Sequence, residues 1–204
     1  LFSKGEYHTL VGGLSQIMEK MEGKLKKSPN VEIIKGLKVK EIFDDHILIG
    51  EDNYYFKNLI CAVPQKSLKQ FQCFKEHDQI DSVRPSPLLR IYSKYPTKGL
   101  WFKGIKRTTT DNHIRHIIPI DYKTGMIMIS YTDGEYAKMW SKLHGNGDEY
   151  LIKSIHKEIK SLFGIDPPKP EFIAVHYWDE GFHLWNPGYT MDYSYQKMLK
   201  PFQE

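Results

Sequence analysis

The sequence FIAVHYWDEGFHLWNPGY, residues 172–189, carries the aromatic stretch around which the rest of the chain is organised. It opens as an apolar run at residues 172–176, which predicts a strand. Seven aromatic residues then fall within the nineteen positions from Tyr177 to Tyr195, slightly beyond the quoted stretch. Gly181 and the pair Pro187-Gly188 interrupt this segment, and glycine and proline mark turns. The pattern therefore predicts a strand that delivers a rigid aromatic loop to one place.

Two structural roles are open for this aromatic loop. Aromatic side chains on a loop at the end of a strand usually line a pocket or an interface. They also fill a core beneath a long loop, and composition alone does not separate these roles. We keep both interpretations at this point.

The whole chain has the composition of an ordinary globular protein. Its 204 residues allow one large domain or two small ones. Hydrophobic residues make up 40% of it and charged residues 26%, and the net charge is only +4. Because the 29 basic residues only slightly outnumber the 25 acidic residues and are dispersed along the chain, no nucleic-acid partner is predicted.

The sequence shows no signal for a membrane or for secretion. No apolar run approaches the roughly 20 residues of a membrane-spanning helix, and no secretory signal is visible. Cys61 and Cys73 form no disulfide framework, and we interpret both as reduced thiols. The expected localisation is therefore intracellular and soluble. The chain begins at Leu1 rather than at methionine, and we expect it to be an internal piece of a longer polypeptide.

Hydrophobic periodicity predicts a mixture of helices and strands. A helix is expected at residues 14–25, and three short strands between residues 31 and 56 suggest an antiparallel meander. The run NLICAVP at residues 58–64 is typical of a strand buried on both faces, as in a parallel or mixed sheet. Further strands are predicted at residues 87–95, 105–110, 113–120 and 126–131. Two helices are predicted at residues 134–143 and 148–163. The expected fold class is α+β (α/β), with a mixed sheet flanked by helices.

Most standard catalytic motifs are absent from the chain. It has no Gly-x-Gly-x-x-Gly or Walker loop to cradle a phosphate, and no Gly-x-Ser-x-Gly elbow. His113 and His116 lie three apart in a predicted strand, where alternation points them to opposite faces, so no metal site is predicted. Asp179 and Glu180 are adjacent carboxylates, which a solvated turn explains better than acid–base chemistry.

Taken in order, these segments resemble a known family. Five segments follow one another along the chain: the pair Gly12-Gly13 before a helix, the meander, the run at residues 59–64, the strand at residues 87–95 and the aromatic stretch. This order resembles the central and substrate-binding portion of the flavin-containing amine oxidases, the monoamine and polyamine oxidase superfamily. The resemblance covers most of the chain.

The resemblance implies a domain organisation and a reaction. Residues 1–73 would be part of an FAD-binding domain, residues 74–177 a substrate-binding domain, and residues 178–204 a return segment toward the FAD domain with the aromatic-cage loop. The implied cofactor is FAD, and the implied partners are a small-molecule amine and oxygen. The implied enzyme oxidises the amine to an imine and releases peroxide.

The resemblance also implies residues that contact the cofactor. Leu37 falls where the family presents a backbone contact to the adenine. The segment Ala62-Val63-Pro64 looks like the family's Ala-(Ile/Val)-Pro, which lies close to the flavin. Trp178 matches a tryptophan near the flavin.

Two further residues are implied as catalytic. Tyr189 matches a tyrosine of the family's aromatic cage, whose ring faces attract a cation and guide a neutral amine. Arg90 occupies the position of a family lysine that holds a water near the flavin. Arginine is not a conservative replacement there, because it stays protonated and presents a planar fork. Arg90 either holds the water differently or indicates that this chemistry has drifted. A third interpretation is an arginine that points outward from an edge strand.

Three functions are consistent with these features. The first is the amine oxidase. The second is another flavin oxidase or desaturase of the same superfamily, and the third is a relative without catalysis that serves as a structural or interaction protein. The dinucleotide fingerprint and the C-terminal Gly-Glu flavin segment of the family are both missing from this chain, so the chain alone is expected to bind FAD poorly.

Overall fold

The computed structural model describes residue 10 and residues 12–202, and the chain divides into two compact units, Leu1–Leu59 and Ile60–Glu204. The first unit contains helix α1 and a three-stranded antiparallel sheet in the order β1-β2-β3. Its elements are α1 Ser15–Leu25, β1 Val39–Ile42, β2 His46–Ile49 and β3 Asp52–Tyr55. The predicted helix and meander are confirmed, although residues 31–38 are exposed and form no strand.

The second unit is built on a five-stranded sheet in the order β5-β6-β7-β4-β8. Its strands are β4 Val83–Lys94, β5 Thr108–Thr109, β6 His116–Asp121, β7 Met126–Asp133 and β8 Phe172–Trp185. The long strand β4 lies between β7 and β8 and pairs with both. The expected α+β class is confirmed. Every strand pairing in this sheet is antiparallel, so the prediction of a mixed parallel and antiparallel sheet was wrong.

The described part of the second unit also contains five helices, of which the last follows β8. They are α2 Gln65–Leu68, α3 Gln72–Lys75, α4 Gly134–His144, α5 Asp148–Phe163 and α6 Met191–Leu199. The predicted helices at residues 134–143 and 148–163 are therefore confirmed. α5 ends at Gly164, whose φ of 68° is a left-handed conformation that glycine adopts without steric cost. Among the helices of the described residues, none has the length and apolar character needed to cross a membrane.

The core lies between this sheet and helices α4 and α5. Strand alternation sends Leu89 and Ile91 of β4 to the helical side, where both are fully buried. The apolar stripe of α5 belongs to the same buried cluster, and its buried residues recur four apart at Leu151, Ile155 and Ile159. Apolar burial of this kind contributes about 25 cal/mol per Å² of surface removed from water, so this layer is the main source of stability for the unit.

The run Leu59-Ile60-Cys61-Ala62-Val63 forms no strand, and the prediction of a buried strand there was wrong. These residues are not buried, and Ile60 is 90% exposed. An apolar run becomes a strand only where a neighbouring strand supplies its backbone hydrogen bonds. In the described part of the chain no strand pairs with this segment.

The aromatic stretch departs from its prediction, because β8 runs through Gly181 without a turn and continues to Trp185. Its pairing with β4 shifts register between Ser86 and Leu88, opposite Gly181. A Cβ at Gly181 would lie 2.1 Å from the Leu88 Cβ and 2.9 Å from the Leu88 backbone nitrogen. The glycine therefore permits a close approach of two strands, and Asp179 and Glu180 belong to a strand rather than to a turn.

This packing predicts the effect of adding one methyl group at Gly181. Gly181→Ala should lower the free energy of unfolding by about 1–3 kcal/mol, because the methyl group overlaps Leu88 and the strands must separate. Chemical denaturation followed by near-ultraviolet circular dichroism measures the change. Gly23→Ala is the control, because a Cβ there meets nothing within 4 Å and the residue lies inside α1. An unchanged midpoint for Gly181→Ala would contradict the close approach.

Candidate functional site

The candidate site lies on the sheet face opposite the helical core. Along β4, Leu88, Arg90 and Tyr92 alternate with the buried residues and are only partly buried. Arg90 is directly opposite Tyr131 of β7 on one side and His176 of β8 on the other. Directly opposite residues share a face of an antiparallel sheet, so this register gathers a cation and aromatic rings on one surface.

Arg90 is at the centre of these rings. Its guanidinium carbon lies 4.9 Å from the centre of the Tyr131 ring and 6.0 Å from the centre of the Trp178 ring. Both distances are within the range of cation–π attraction. The side chain therefore lies along the sheet between β7 and β8 and does not point away from an edge strand.

The aromatic rings continue across β8 in an ordered row. The rings of His176 and Trp178 are stacked, with centroids 5.8 Å apart and planes 21° apart. The Tyr92 ring meets His176 edge-on at 5.8 Å. We call Arg90, Tyr92, Tyr131, His176 and Trp178 the Arg90 cluster.

The guanidinium of Arg90 keeps its charge in this setting. Burial lowers the pKa of Arg90, but the hydroxyl groups of Tyr92 and Tyr131 outweigh that effect and hold the pKa above its ordinary value. The Arg90 Nε atom is buried and has no hydrogen-bond partner among the described residues. The cluster thus presents a permanent positive charge with unused donor capacity.

His116 of β6 borders the cluster on the far side of Tyr131, with ring centroids 5.7 Å apart. Burial lowers the pKa of His116, and the positive charges of Arg107 and Arg115 lower it further. At neutral pH this histidine is therefore expected to be uncharged. Its Nδ1 atom lies 3.2 Å from the Thr109 hydroxyl oxygen, and in the uncharged ring one nitrogen donates a hydrogen bond while the other accepts one.

The sequence-predicted residues are only partly gathered at this site. Arg90 and Trp178 are neighbours within the cluster. Tyr189 lies in the loop after β8 and is half-buried, and no ring contact joins it to Trp178 in the described part of the chain. Leu37 is exposed, precedes β1 and belongs to the other compact unit.

Val63 and Pro64 line a separate open cavity of about 640 Å³. Trp185 of the aromatic stretch and Tyr195 of α6 also line it. Ala62, which precedes them, is exposed. The aromatic stretch thus serves two places, since Trp178 faces the Arg90 cluster while Trp185 lines this cavity.

Buried amide groups form the floor of that cavity. The Gln65 side chain donates hydrogen bonds to the backbone oxygens of Ile80 and Val83, each at 2.6 Å. The Ser194 hydroxyl donates to the Gln79 side-chain oxygen at 2.6 Å, which ties α6 to the loop before β4. These bonds satisfy the buried polar groups and hold the cavity wall in place.

Tyr92, Tyr131, His176 and His116 were not predicted as members of the site. Alternation along each strand would have placed Arg90 and Tyr92 on one face, which is the signal available in the sequence. The alternation within one strand does not predict the register between strands that are distant in sequence, so it does not place Tyr131, His176 or His116 near Arg90. The described residues contain no group of three or more histidine, cysteine or acidic side chains that could hold a metal ion.

The electrostatics of His116 give a testable prediction. Arg107→Gln should raise the pKa of His116 part of the way to its ordinary value, because one positive neighbour is removed while burial remains the larger cause. A pH titration of the histidine ring protons by NMR measures it. Arg84→Gln, which removes an exposed arginine of β4, is the matched control and should leave the His116 titration unchanged. An unchanged value in Arg107→Gln would rule out this charge effect.

Comparison with solved structures finds a protein with the same fold. A candidate protoporphyrinogen oxidase from Exiguobacterium sp. 255-15 superposes with a TM-score of 0.70 at 12% sequence identity. The match covers 93% of this chain and 44% of that protein, so the chain spans under half of its length. No curated protein matches the sequence.

The family comparison covers nearly the whole chain. The model of the flavin-containing amine oxidoreductases matches residues 2–201. The expectation drawn from the order of motifs is thereby confirmed, and the flavin named in the family description implies FAD as the cofactor. The chain belongs to the flavin-containing amine oxidoreductase family.

Proposed function

We propose that this chain is the substrate-binding and part of the cofactor-binding portion of an FAD-dependent oxidase that converts an amine to an imine and releases peroxide. The observation that carries the proposal is the Arg90 cluster, a charged and aromatic surface in a chain of this family. Such a surface orients a small molecule through flat walls and one fixed charge. The substrates would be a small amine and oxygen.

The domain assignment is part of this proposal. Residues 1–73 would belong to the FAD-binding domain, residues 74–177 to the substrate-binding domain, and residues 178–204 to a return segment. Leu37 would offer its backbone to the adenine. Its exposed position, directly after Gly36 with a φ of 76°, leaves that backbone accessible.

The residues near Pro64 fit the apolar part of a flavin. Val63 is 45% exposed, Ile60 is 90% exposed, and apolar surface of this kind is stabilised when a flat ring covers it. The chain contains no glycine-rich phosphate loop, so the diphosphate of FAD must be held by other residues. Ala62, Val63 and Pro64 are the proposed contacts of the ring system on the side of the cavity. Trp178 is a further proposed contact, from the Arg90 cluster.

The chemistry that FAD supplies when bound is the acceptance of two electrons from the amine, which oxygen then takes up as hydrogen peroxide. The chain's own contribution is orientation and exclusion of water. Trp178 and Tyr189 would provide the flat walls of the cage. Arg90, with donors to spare, would hold the water that the family assigns to a lysine.

A second candidate is a relative without catalysis that serves in structure or interaction. Arg90 in the place of the lysine is the observation that favours it, because the two side chains differ in shape and hydration. Another flavin oxidase or desaturase of the superfamily is a third candidate. Its support is the structural likeness to a candidate protoporphyrinogen oxidase.

The first test is the visible absorption spectrum of the protein, expressed as the complete open reading frame that contains this chain. We expect a bound-flavin spectrum that bleaches when an amine is added without oxygen and returns when oxygen is admitted, with peroxide formed. A folded protein that stays colourless after FAD is offered would exclude the oxidase. It would favour the candidate without catalysis.

A pair of variants tests the site within that experiment. Trp178→Leu should slow flavin reduction by about threefold to thirtyfold, because the aromatic wall is lost. Tyr177→Leu is the matched control, since this neighbouring aromatic residue is comparably exposed but points to the other side of β8. Equal effects of the two substitutions would argue against a role for the face that carries the Arg90 cluster.

A further inference from the structure

We infer that the outer face of α5 binds an extended, acidic segment of a partner protein. Neither the flavin nor the Arg90 cluster takes part in this contact, so it lies beyond the proposed function. The binding site is a groove of about 510 Å³ between α5 and the segment that follows this helix. We call it the α5 groove, and its charged lining residues are Lys153, Lys157, Lys160, Lys169, Glu149 and Asp166.

One wall of the α5 groove is the side of the helix that faces away from the core. Leu151, Ile155 and Ile159 take the inward side of α5 and are fully buried. Lys153 and Lys157 are exposed and lie four residues apart, and side chains at that spacing are neighbours on one face of a helix. α5 therefore presents two adjacent ammonium groups to solvent on a helix that is anchored in the core.

The other wall is a segment whose backbone is already restricted in the free chain. Residues 164–171 include three prolines, at positions 167, 168 and 170, and each proline ring fixes φ. The Gly164 N–H donates to the Lys160 carbonyl oxygen at 2.9 Å, and the Glu171 N–H donates to the Lys94 carbonyl oxygen at 2.7 Å. Both ends of this segment are thus attached to regular elements, so binding along it requires little ordering of the chain.

The acidic residues of the α5 groove are paired, whereas two of its lysines are not. Asp166 accepts a hydrogen bond from the Lys160 ammonium at 2.7 Å. A carboxylate oxygen of Glu149 lies 3.8 Å from the Lys169 ammonium nitrogen. The other two lysines have no carboxylate within ion-pair distance among the residues that the structure describes. Four lysines against two carboxylates leave a net charge of +2 in the groove, which attracts an anionic partner.

His156 also lines the α5 groove. Burial lowers the pKa of this histidine, although the carboxylate of Asp166 acts in the opposite direction. Its Nε2 atom lies 3.2 Å from the hydroxyl oxygen of the core residue Tyr95. The histidine is therefore uncharged at neutral pH, and the positive charge of the groove comes from its lysines.

The spacing of the two unpaired lysines favours an extended chain as the ligand. Residues four apart on a helix are separated by about 6 Å along its axis. Alternate residues of an extended chain are separated by about 6.5–7 Å and point to the same side. A segment in which every second residue is acidic can therefore place one carboxylate against Lys153 and the next against Lys157.

Other classes of anion fit the α5 groove less well. A single phosphate ion would leave most of its volume of about 510 Å³ empty. Nucleic acid is bound by broad basic surfaces that contact many phosphates, whereas Glu149 and Asp166 stand within this groove. A protein segment with spaced carboxylates matches both the modest charge of the groove and its length.

The experiment measures the binding of three fluorescein-labelled peptides to the chain by fluorescence anisotropy. The first peptide alternates glutamate and alanine. The second carries the same number of glutamates at every third position, and the third alternates lysine and alanine. We expect saturable binding of the first peptide, weaker binding of the second and none of the third. Binding of the first should weaken between about 0.05 M and about 0.3 M salt, because exposed charges are screened.

A double variant tests where the first peptide binds. Lys153→Gln combined with Lys157→Gln should weaken its binding by about threefold to thirtyfold, because two exposed charge contacts are lost. Lys20→Gln combined with Lys24→Gln is the matched control and should bind as the unmodified chain does. Lys20 and Lys24 are also exposed, lie four apart on α1 and have no ion pair in the described part of the chain, so both variants lose the same charge. Near-ultraviolet circular dichroism reports that each variant is folded.

Several results would overturn the inference. Equal weakening by the two double variants would show a general attraction between charges, and equal binding of the first two peptides would remove the match in spacing. Displacement of the first peptide by an equal concentration of inorganic phosphate would reduce the groove to a general anion site. Tighter binding of an oligothymidylate would assign it to nucleic acid. None of these measurements involves flavin, so each of these failures leaves the proposed function as it stands.

Discussion

The pairing of β4 along both of its edges is the constraint on which the second compact unit depends. β4 bonds to β7 on one side and to β8 on the other, in antiparallel register over most of its length. The close approach at Gly181 lets β8 follow β4 beyond Leu88 and on to Val83. The aromatic stretch is thereby held on a rigid strand instead of on a loop.

The same strand joins the core to the candidate site. Successive side chains of β4 point to opposite faces, so Leu89 and Ile91 anchor the helices while Arg90 and Tyr92 face the other way. Movement of Arg90 would therefore disturb a fully buried layer. A site built on a central strand is more precisely held than one built on a loop, and this matters for orienting a small substrate.

Arg90 is proposed to occupy the position of a family lysine, and that proposal bears on the identity of the substrate. A lysine ammonium is a hydrated point charge that holds a water well, whereas the guanidinium of Arg90 lies flat between Tyr131 and Trp178. Such a replacement would keep the charge and change the geometry of its hydrogen-bond donors. A replacement of lysine by Arg90 would be consistent with a changed substrate and also with lost catalysis. These alternatives differ in whether a ligand binds to the guanidinium of Arg90.

Local pattern in the sequence determined the helices, the meander and the family. The apolar stripe of α5 and the glycine that ends it are patterns within one short segment, so they can be predicted from the sequence without knowledge of the fold. Arg90 and Trp178 were proposed as site residues from the order of motifs, and they remain proposals. Only the tertiary structure decided that β8 continues through Gly181, that residues 59–63 form no strand, and that Tyr131 and His176 flank Arg90. These features depend on the register between strands distant in sequence, which is set by contacts that no local pattern contains.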